Sequence, residues 1–230
     1  MQNPWTNLPQ TIPFVLRGDK PRIDNYNLNA KPEHEIHVEI LPEPYTGSPD
    51  SPVILLNLNP GFYDSNAKFL LGNNYFFNAS CANLVHAKQE YPFYLLDPRN
   101  VESPGYYWWS RKLRPLIDLY GLKKVANTVS AIEYFPYHSA NFGGNIAVPS
   151  QAYSFYLVQE AMKRNALIIQ MRSRSIWQRE LPALQTYPNY YILKNPQNPA
   201  ISANNCPDGF PEILKVMGKP DSHFDRVFEG

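Results

Sequence analysis

The sequence predicts an α/β fold of three layers, with a central, mainly parallel sheet of four strands between helices. Four short apolar runs occur between residues 53 and 193, and a segment with helical character follows each of them. Such alternation is typical of parallel sheets, because a helix usually makes the crossover between two parallel strands. The chain also has 23 prolines among 230 residues, which excludes a coiled coil or a helical bundle, since proline breaks helices.

The strands are predicted from apolar runs that would be buried on both faces of a sheet. The clearest run, 53–58, reads Val-Ile-Leu-Leu-Asn-Leu and stops at the turn sequence Asn59-Pro60-Gly61. A nearly unbroken apolar run of this length is typical of a strand in a parallel sheet. The same criterion predicts strands over 125–135, 166–171 and 190–193.

The helices are predicted from apolar spacing and from capping residues. Over 105–120, Trp109, Leu113 and Leu116 share one side, and Pro115 predicts a kink or a new start within this helix. Ser150 precedes a helix over 151–165, because serine is a favoured N-cap. Three further helices are expected over 79–89, from Ser173 or Ser175 to about 184, and over 211–217.

The first 50 residues are rich in proline and asparagine and differ in character from the rest. They contain a candidate strand at 12–16 and an alternating one at 35–40, which predicts a half-exposed hairpin or edge strand. The sequence shows neither an internal repeat nor a low-complexity linker. We therefore expect a single domain over 1–230, with an N-terminal extension, 1–50, packed on an α/β core, 51–217.

Composition limits the classes of function. The formal net charge is +1, far from that of a protein that coats nucleic acid, although a local basic face remains compatible with it. Two cysteines cannot complete a four-ligand metal site, and His34 and His37 would lie on opposite faces of a strand, so we expect no metal and no cofactor. The N-terminus is polar and broken by proline, and no apolar run approaches the ~20 residues of a membrane helix. These features predict a cytoplasmic protein without a membrane partner.

Polar, aromatic and basic residues follow each predicted strand. Ligands bind at the carboxyl ends of strands in sheets of this kind, so residues that follow different strands can meet at one site. In chain order, the candidates are Asn59, Pro60 and Gly61, then Glu133 and His138, then Arg172 and Arg174, and finally Asn195 and Pro196.

Two of these turns carry a resemblance to a known family. A strand that ends in Leu-Asn-Pro-Gly, here 58–61, resembles the first motif of the uracil-DNA glycosylase superfamily and is closest to its mismatch-specific branch. The later segment Leu193-Lys194-Asn195-Pro196-Gln197, ahead of Ile201 and Ser202, is similar to the second motif of that superfamily. The resemblance covers about residues 50–217 and implies a uracil-DNA-glycosylase-like fold.

The resemblance also implies a reaction and a role for each matching residue. Such an enzyme flips a nucleotide out of the DNA stack and hydrolyses the bond between sugar and base. Asn59 would position the attacking water, and Asn195 would stabilise the negative charge on the leaving base. The remaining expected contacts are Phe76 or Phe77 stacking on the base, Ile201 filling the gap in the stack, and Arg172, Arg174 and Ser202 touching the nucleic-acid backbone.

The sequence departs from the family at the position that reads the base. The family often has an asparagine at the end of the second strand, where the best placement here is Glu133, with Asn127 as the alternative. An ionised carboxylate only accepts hydrogen bonds, so it favours a base edge rich in N–H groups, such as guanine or protonated cytosine. The second motif also lacks a serine after Pro196.

Three hypotheses about function follow. The first is a divergent DNA glycosylase, and the second is a catalytically silent protein of the same fold that binds a base, a nucleotide or nucleic acid. The third is a hydrolase of unrelated small molecules that uses Glu133, His138 and Asn59. For nucleic acid, we expect further backbone contacts from the basic stretch 111–124.

Overall fold

The structure of the protein is a computed structural model that describes residues 1–63, 69 and 72–220. The α-helices of this part are α1 (Lys20–Asn27), α2 (Asn74–Leu84), α3 (Pro104–Lys112), α4 (Arg114–Thr128), α5 (Gln151–Lys163), α6 (Arg174–Glu180) and α7 (Gly209–Met217). The strands are β1 (Tyr45–Thr46), β2 (Val53–Leu56), β3 (Val129–Ile132), β4 (Leu167–Gln170) and β5 (Tyr190–Ile192). The fold is therefore mixed α/β, as the sequence predicted.

The strands form one sheet in the order β1-β3-β2-β4-β5. Strands β3, β2, β4 and β5 are parallel, and in the centre Leu56 of β2 is level with Ile132 of β3 and with Gln170 of β4. The sheet has five strands rather than the four predicted, because β1 pairs antiparallel with β3. A strand of two residues between Pro44 and Gly47 carries no periodic signal, so only the pairing partner reveals it.

Apolar side chains on the two faces of the sheet belong to two separate cores. Along β2, Val53 and Leu55 pack on one side with residues of α2, α3, α4 and α7. Ile54 and Leu56 pack on the other side with residues of α1, α5 and α6. This arrangement explains why the strand is apolar at every position, since successive side chains point to opposite faces and both faces are covered.

The first 50 residues do not contain the two predicted strands. Residues near Phe14 and His37 make single contacts instead: the Phe14 N–H donates to the Val38 carbonyl over 2.7 Å, and His37 forms an isolated bridge with His138. Neither segment has the run of paired neighbours that a strand requires. The segment also adds more than a packed extension, because β1 belongs to the sheet and Trp5 lies buried in the second core.

Several element boundaries differ from the predicted ones. The break expected near Pro115 occurs at Leu113, where α3 ends and α4 begins. Helix α4 is interrupted at Gly121, where φ is 74°, and helical turns resume through Thr128. Strand β3 is therefore shorter than the predicted strand 125–135, yet Glu133 still follows it directly. The Ser150 side chain makes no capping hydrogen bond, and the Gln151 side chain accepts from the Val148 N–H over 2.8 Å instead.

Candidate functional site

A cavity of about 520 Å³ opens at the carboxyl ends of β2, β3 and β4. Its polar lining residues are Glu43, Asn57, Asn59, Ser80, Ser103, Glu133, His138 and Arg172. Its aromatic lining residues are Phe14, Tyr63, Phe76, Phe77, Tyr94, Tyr107, Trp108 and Trp109. Among the predicted site residues, the structure therefore brings together Asn59, Pro60, Gly61, Phe76, Phe77, Glu133, His138 and Arg172.

Asn57 and Glu133 form a buried polar pair in the wall of the cavity. They directly follow β2 and β3, and the register of these strands makes them neighbours. The Asn57 Nδ2 donates to Glu133 Oε1 over 3.2 Å. Within the part of the chain that the structure describes, the other oxygen of each side chain, Asn57 Oδ1 and Glu133 Oε2, has no hydrogen-bond partner although it is buried. Buried polar atoms are normally paired, so each of these two oxygens can take a further hydrogen bond.

The pKa of Glu133 is raised to about 8, mainly by burial and then by the negative charge of Glu43. The Asn57 hydrogen bond and the positive charge of Arg172 act in the opposite direction. Burial likewise raises the pKa of Glu43 to about 7, against the stabilising hydrogen bond that its Oε2 accepts from the Tyr94 hydroxyl over 2.8 Å. Glu133 is therefore mainly a neutral carboxylic acid near pH 7 and can donate a hydrogen bond as well as accept one.

The Asn59-Pro60-Gly61 turn is fixed to the loop that follows β3. Asn59 uses its Nδ2 to donate to the Pro60 carbonyl over 2.9 Å and to Ser139 Oγ over 3.0 Å. His138 Nδ1 lies 2.8 Å from the Gly61 carbonyl oxygen, which can only accept, so Nδ1 carries the proton. The orientation of the Asn59 amide leaves Oδ1 as the atom that can accept a hydrogen bond from a water in the cavity.

His138 is buried and holds the turn in place. Burial lowers its pKa to about 4, although hydrogen bonds to the Gly61 and Leu41 carbonyls favour the charged form. The imidazole is therefore neutral near pH 7. Its low basicity makes it a poor proton acceptor at that pH, so its structural contact with Gly61 is its clearest role.

Two cations flank one indole ring at the side of the cavity. Arg172 Cζ lies 5.8 Å and Lys112 Nζ lies 5.6 Å from the centre of the Trp108 ring, both within the range of cation–π contacts. Neither forms an ion pair with a carboxylate among the described residues, and Arg172 Nε is buried without a hydrogen-bond partner there. An anion or a polar ligand atom would supply the missing partner.

The second predicted motif lies outside this cavity. Strands β2 and β5, which precede Asn59 and Asn195, are not neighbours because β4 lies between them. Asn195 is exposed, and its Oδ1 accepts from the backbone N–H groups of Gln197 and Asn198 over 3.1 and 3.2 Å. This asparagine therefore closes its own turn and does not line the cavity.

The other residues predicted around the second motif also differ from expectation. Ile201 is fully buried in the first core, and its N–H donates to the Lys112 carbonyl over 2.8 Å, so it is not available as a wedge in this conformation. Ser202 Oγ accepts from the Asn205 N–H over 3.3 Å within the same loop. Arg174 is exposed at the start of α6 and does not line the cavity.

Sequence reasoning missed several residues of the site, among them Asn57, Glu43 and Trp108. Asn57 gave a usable signal, since it is the one polar residue in the apolar run 53–58. Glu43 gave none, because it reaches the cavity from the segment before β1. Trp108 belongs to the aromatic run 106–109, in which Trp109 is buried in the first core and also lines the cavity, whereas Trp108 is only partly buried; the sequence pattern does not distinguish the two.

No protein-family model, no curated protein and no solved structure matches this chain. Over the ranges 1–63 and 72–220, no group of three or more His, Cys, Asp or Glu side chains could hold a metal ion. No helix described for this chain is both long enough and apolar enough to cross a bilayer. The cavity itself is therefore the strongest guide to function.

Proposed function

We propose that the protein binds a nucleobase in this cavity and, as a divergent DNA glycosylase, hydrolyses the N-glycosidic bond that joins the base to its sugar. The observation that carries this proposal is the convergence of Asn59, Glu133 and the two phenylalanines of α2, Phe76 and Phe77, around a single cavity. The volume of about 520 Å³ lies in the range of small-molecule sites and is sufficient for a base with its sugar.

Aromatic side chains provide the surface that a flat base requires. Phe76 is buried against Tyr94, with ring centres 5.4 Å apart, whereas Phe77 is only partly buried and packs on Phe14. Phe77 is therefore the more accessible of the two candidates for stacking. Base–aromatic stacking contributes about 1–3 kcal/mol and does not depend strongly on which base is bound.

Asn59 and Arg172 take the two chemical roles. Water oriented by Asn59 Oδ1 adds to the sugar carbon as the glycosidic bond breaks, and the electron pair of that bond leaves with the base. The oriented water releases its proton to solvent, because an amide cannot accept it, so the reaction is slow. Arg172, which lines the cavity where Asn195 does not, is the cation that stabilises the charge on the leaving base.

The experiment is a base-release assay with a panel of single- and double-stranded oligonucleotides that carry mispaired or damaged bases. We expect release of at least one base, detected as strand cleavage after alkali, and a loss of release in Asn59→Ala. Absence of release from every oligonucleotide, together with intact binding, would contradict the hydrolytic part of the proposal.

A catalytically silent base-binding protein is the second candidate. The position of Asn195 outside the cavity favours it, because the expected stabiliser of the leaving base is then missing. The small-molecule hydrolase has less support, because His138 has a pKa of about 4 and its Nδ1 is engaged with the Gly61 carbonyl, so it is a poor base near pH 7.

The two candidates share a prediction about binding of nucleic acid. Arg172→Ala should weaken binding of a fluorescent oligonucleotide about tenfold at low and at higher salt alike, because Arg172 lines the cavity, has no carboxylate partner among the described residues, and contacts the base rather than a phosphate. Arg114→Ala is the matched control, since Arg114 forms an exposed ion pair with Asp118 at 2.5 Å. Titrations at two salt concentrations compare the two variants, and equal losses in both would contradict a contact between Arg172 and the bound base.

A further inference from the structure

The order of the strands places three polar groups side by side at the edge of the sheet. Strand β2 lies between β3 and β4, so Asn57, which follows β2, lies between Glu133, which follows β3, and Arg172, which follows the end of β4. All three line the cavity. In the described chain, each keeps one buried atom without a hydrogen-bond partner: Glu133 Oε2, Asn57 Oδ1 and Arg172 Nε.

Each of these atoms has a definite hydrogen-bonding character. Asn57 Oδ1 accepts, because the Nδ2 of the same amide is the donor to Glu133 Oε1. Arg172 Nε can only donate. Glu133 Oε2 donates when it carries a proton and accepts when it does not. From Glu133 through Asn57 to Arg172, the three groups are therefore donor, acceptor and donor when Glu133 is protonated. They are acceptor, acceptor and donor when Glu133 is ionised.

We propose that Glu133, Asn57 and Arg172 form a base reader in which the proton on Glu133 selects the edge of the bound base. This inference rests on the proposed binding of a base in the cavity. The protonated reader complements a cyclic imide edge, carbonyl–NH–carbonyl, as found in uracil, thymine and xanthine. The ionised reader complements two N–H groups beside a carbonyl, which is the edge of guanine.

The groups that act on Glu133 set the pH at which the reader changes. They are Glu43, which precedes β1 and raises the pKa of Glu133, and Arg172, which lowers it, while the Tyr94 hydroxyl acts through its hydrogen bond to Glu43. Burial makes the largest contribution and brings the pKa to about 8. At neutral pH the protonated reader, which complements an imide edge, therefore predominates.

The test is calorimetric titration of the whole protein with 2′-deoxyuridine and with 2′-deoxyguanosine from about pH 6 to about pH 8.5, below the ionisation of the nucleosides. Affinity for deoxyuridine should fall about fourfold over this range, and affinity for deoxyguanosine should rise at least about tenfold, as the protonated fraction of Glu133 falls. Binding of both nucleosides with equal affinities that do not change with pH would overturn the proposed reader while leaving the base-binding function intact. Failure to bind either nucleoside at any pH would overturn both.

Three variants separate a specificity role from a structural one. Glu133→Gln keeps the shape of the side chain and has a permanent donor, so its affinity for deoxyuridine should be as high as that of the wild type at low pH and should not change with pH. Glu43→Gln leaves Glu133 in place and removes a neighbouring negative charge, so it should move both pH transitions to lower pH. Glu160→Gln is the control, because Glu160 pairs with Lys163 on helix α5. Unchanged transitions in both Glu133→Gln and Glu43→Gln would refute the proton-selected reader.

Discussion

Two turns of this protein share the dipeptide Asn-Pro after an apolar strand and differ in what their asparagines do. Asn59 follows the central strand β2, is fixed by Ser139 from the neighbouring connection, and lines the cavity. Asn195 follows the edge strand β5, and its side-chain oxygen accepts hydrogen bonds from the backbone N–H groups of Gln197 and Asn198. The turns therefore differ in whether the side-chain oxygen of the asparagine remains able to accept a hydrogen bond from a ligand.

The contrast extends to the surroundings of each asparagine. Around Asn59, buried atoms of Asn57 and Glu133 lack protein partners over the described ranges. Around Asn195, the Asn205 side chain accepts from the Asn195 N–H over 2.7 Å and donates to the carbonyls of Ala200 and Asn198 over 2.9 and 3.2 Å. Unsatisfied polar groups cost stability and are retained where function needs them, whereas a closed network stabilises a loop. The first turn therefore lies beside unpaired polar atoms of the cavity, whereas the second closes on its own loop.

The largest effect should come from exchanging the asparagines for alanine one at a time. Asn59→Ala should reduce base release about 10²-fold, because it removes the group that orients the water. Asn195→Ala should leave release close to that of the wild type, because its side chain does not reach the cavity. Single-turnover kinetics on the best substrate of the panel measure both. Equal losses would show that the second turn belongs to the site after all.

The next effect concerns the free energy of unfolding and its pH dependence. The folded-state pKa of Glu133, about 8, lies above the ordinary value of 4.5, so the folded protein holds a proton that the unfolded chain releases between these values. Its contribution to stability is full below about pH 4.5 and is lost as the pH rises through about 8. The difference in free energy of unfolding between Glu133→Gln and the wild type should therefore shift in favour of the variant by about 4 kcal/mol from pH 5 to pH 8.5.

Urea denaturation of the wild type and Glu133→Gln at the two pH values measures this difference. Glu160→Gln provides the control, because Glu160 pairs with Lys163 on helix α5 and does not line the cavity. A difference between wild type and Glu133→Gln that does not change with pH would contradict the burial of Glu133 as a neutral acid.

The smallest effect is expected in the closed loop. Asn205→Ala removes the hydrogen bonds that hold the backbone of residues 195–200 and should lower the free energy of unfolding by about 1 kcal/mol. Binding of nucleosides should not change, because none of these atoms lines the cavity. Thermal denaturation and the calorimetric titration test the two halves of this prediction. A loss of binding without loss of stability would contradict a purely structural loop.

Much of the fold could be predicted because its signals are local. The four parallel strands follow from short apolar runs, since strands covered on both faces have no polar face to interrupt them. Proline placed the break between α3 and α4 within two residues of its position. The edge strand β1 could not be predicted, because a strand of two residues exists only through its partner β3.

The local pattern is sufficient to predict that polar residues follow apolar strands, and hence that Asn59, Glu133 and Arg172 lie at the carboxyl edge of one sheet. Which of the candidate residues share a cavity depends on the strand order, in which β4 lies between β2 and β5. The tertiary structure also decided that Glu133 is a neutral acid, since burial and the charge of Glu43, distant in the chain, raise its pKa to about 8. The role of an asparagine in a turn likewise depends on residues distant in the chain. The Asn195 N–H is bonded by the side chain of Asn205, whereas Ser139 accepts only from the nitrogen of the Asn59 side chain and leaves its oxygen as a possible acceptor.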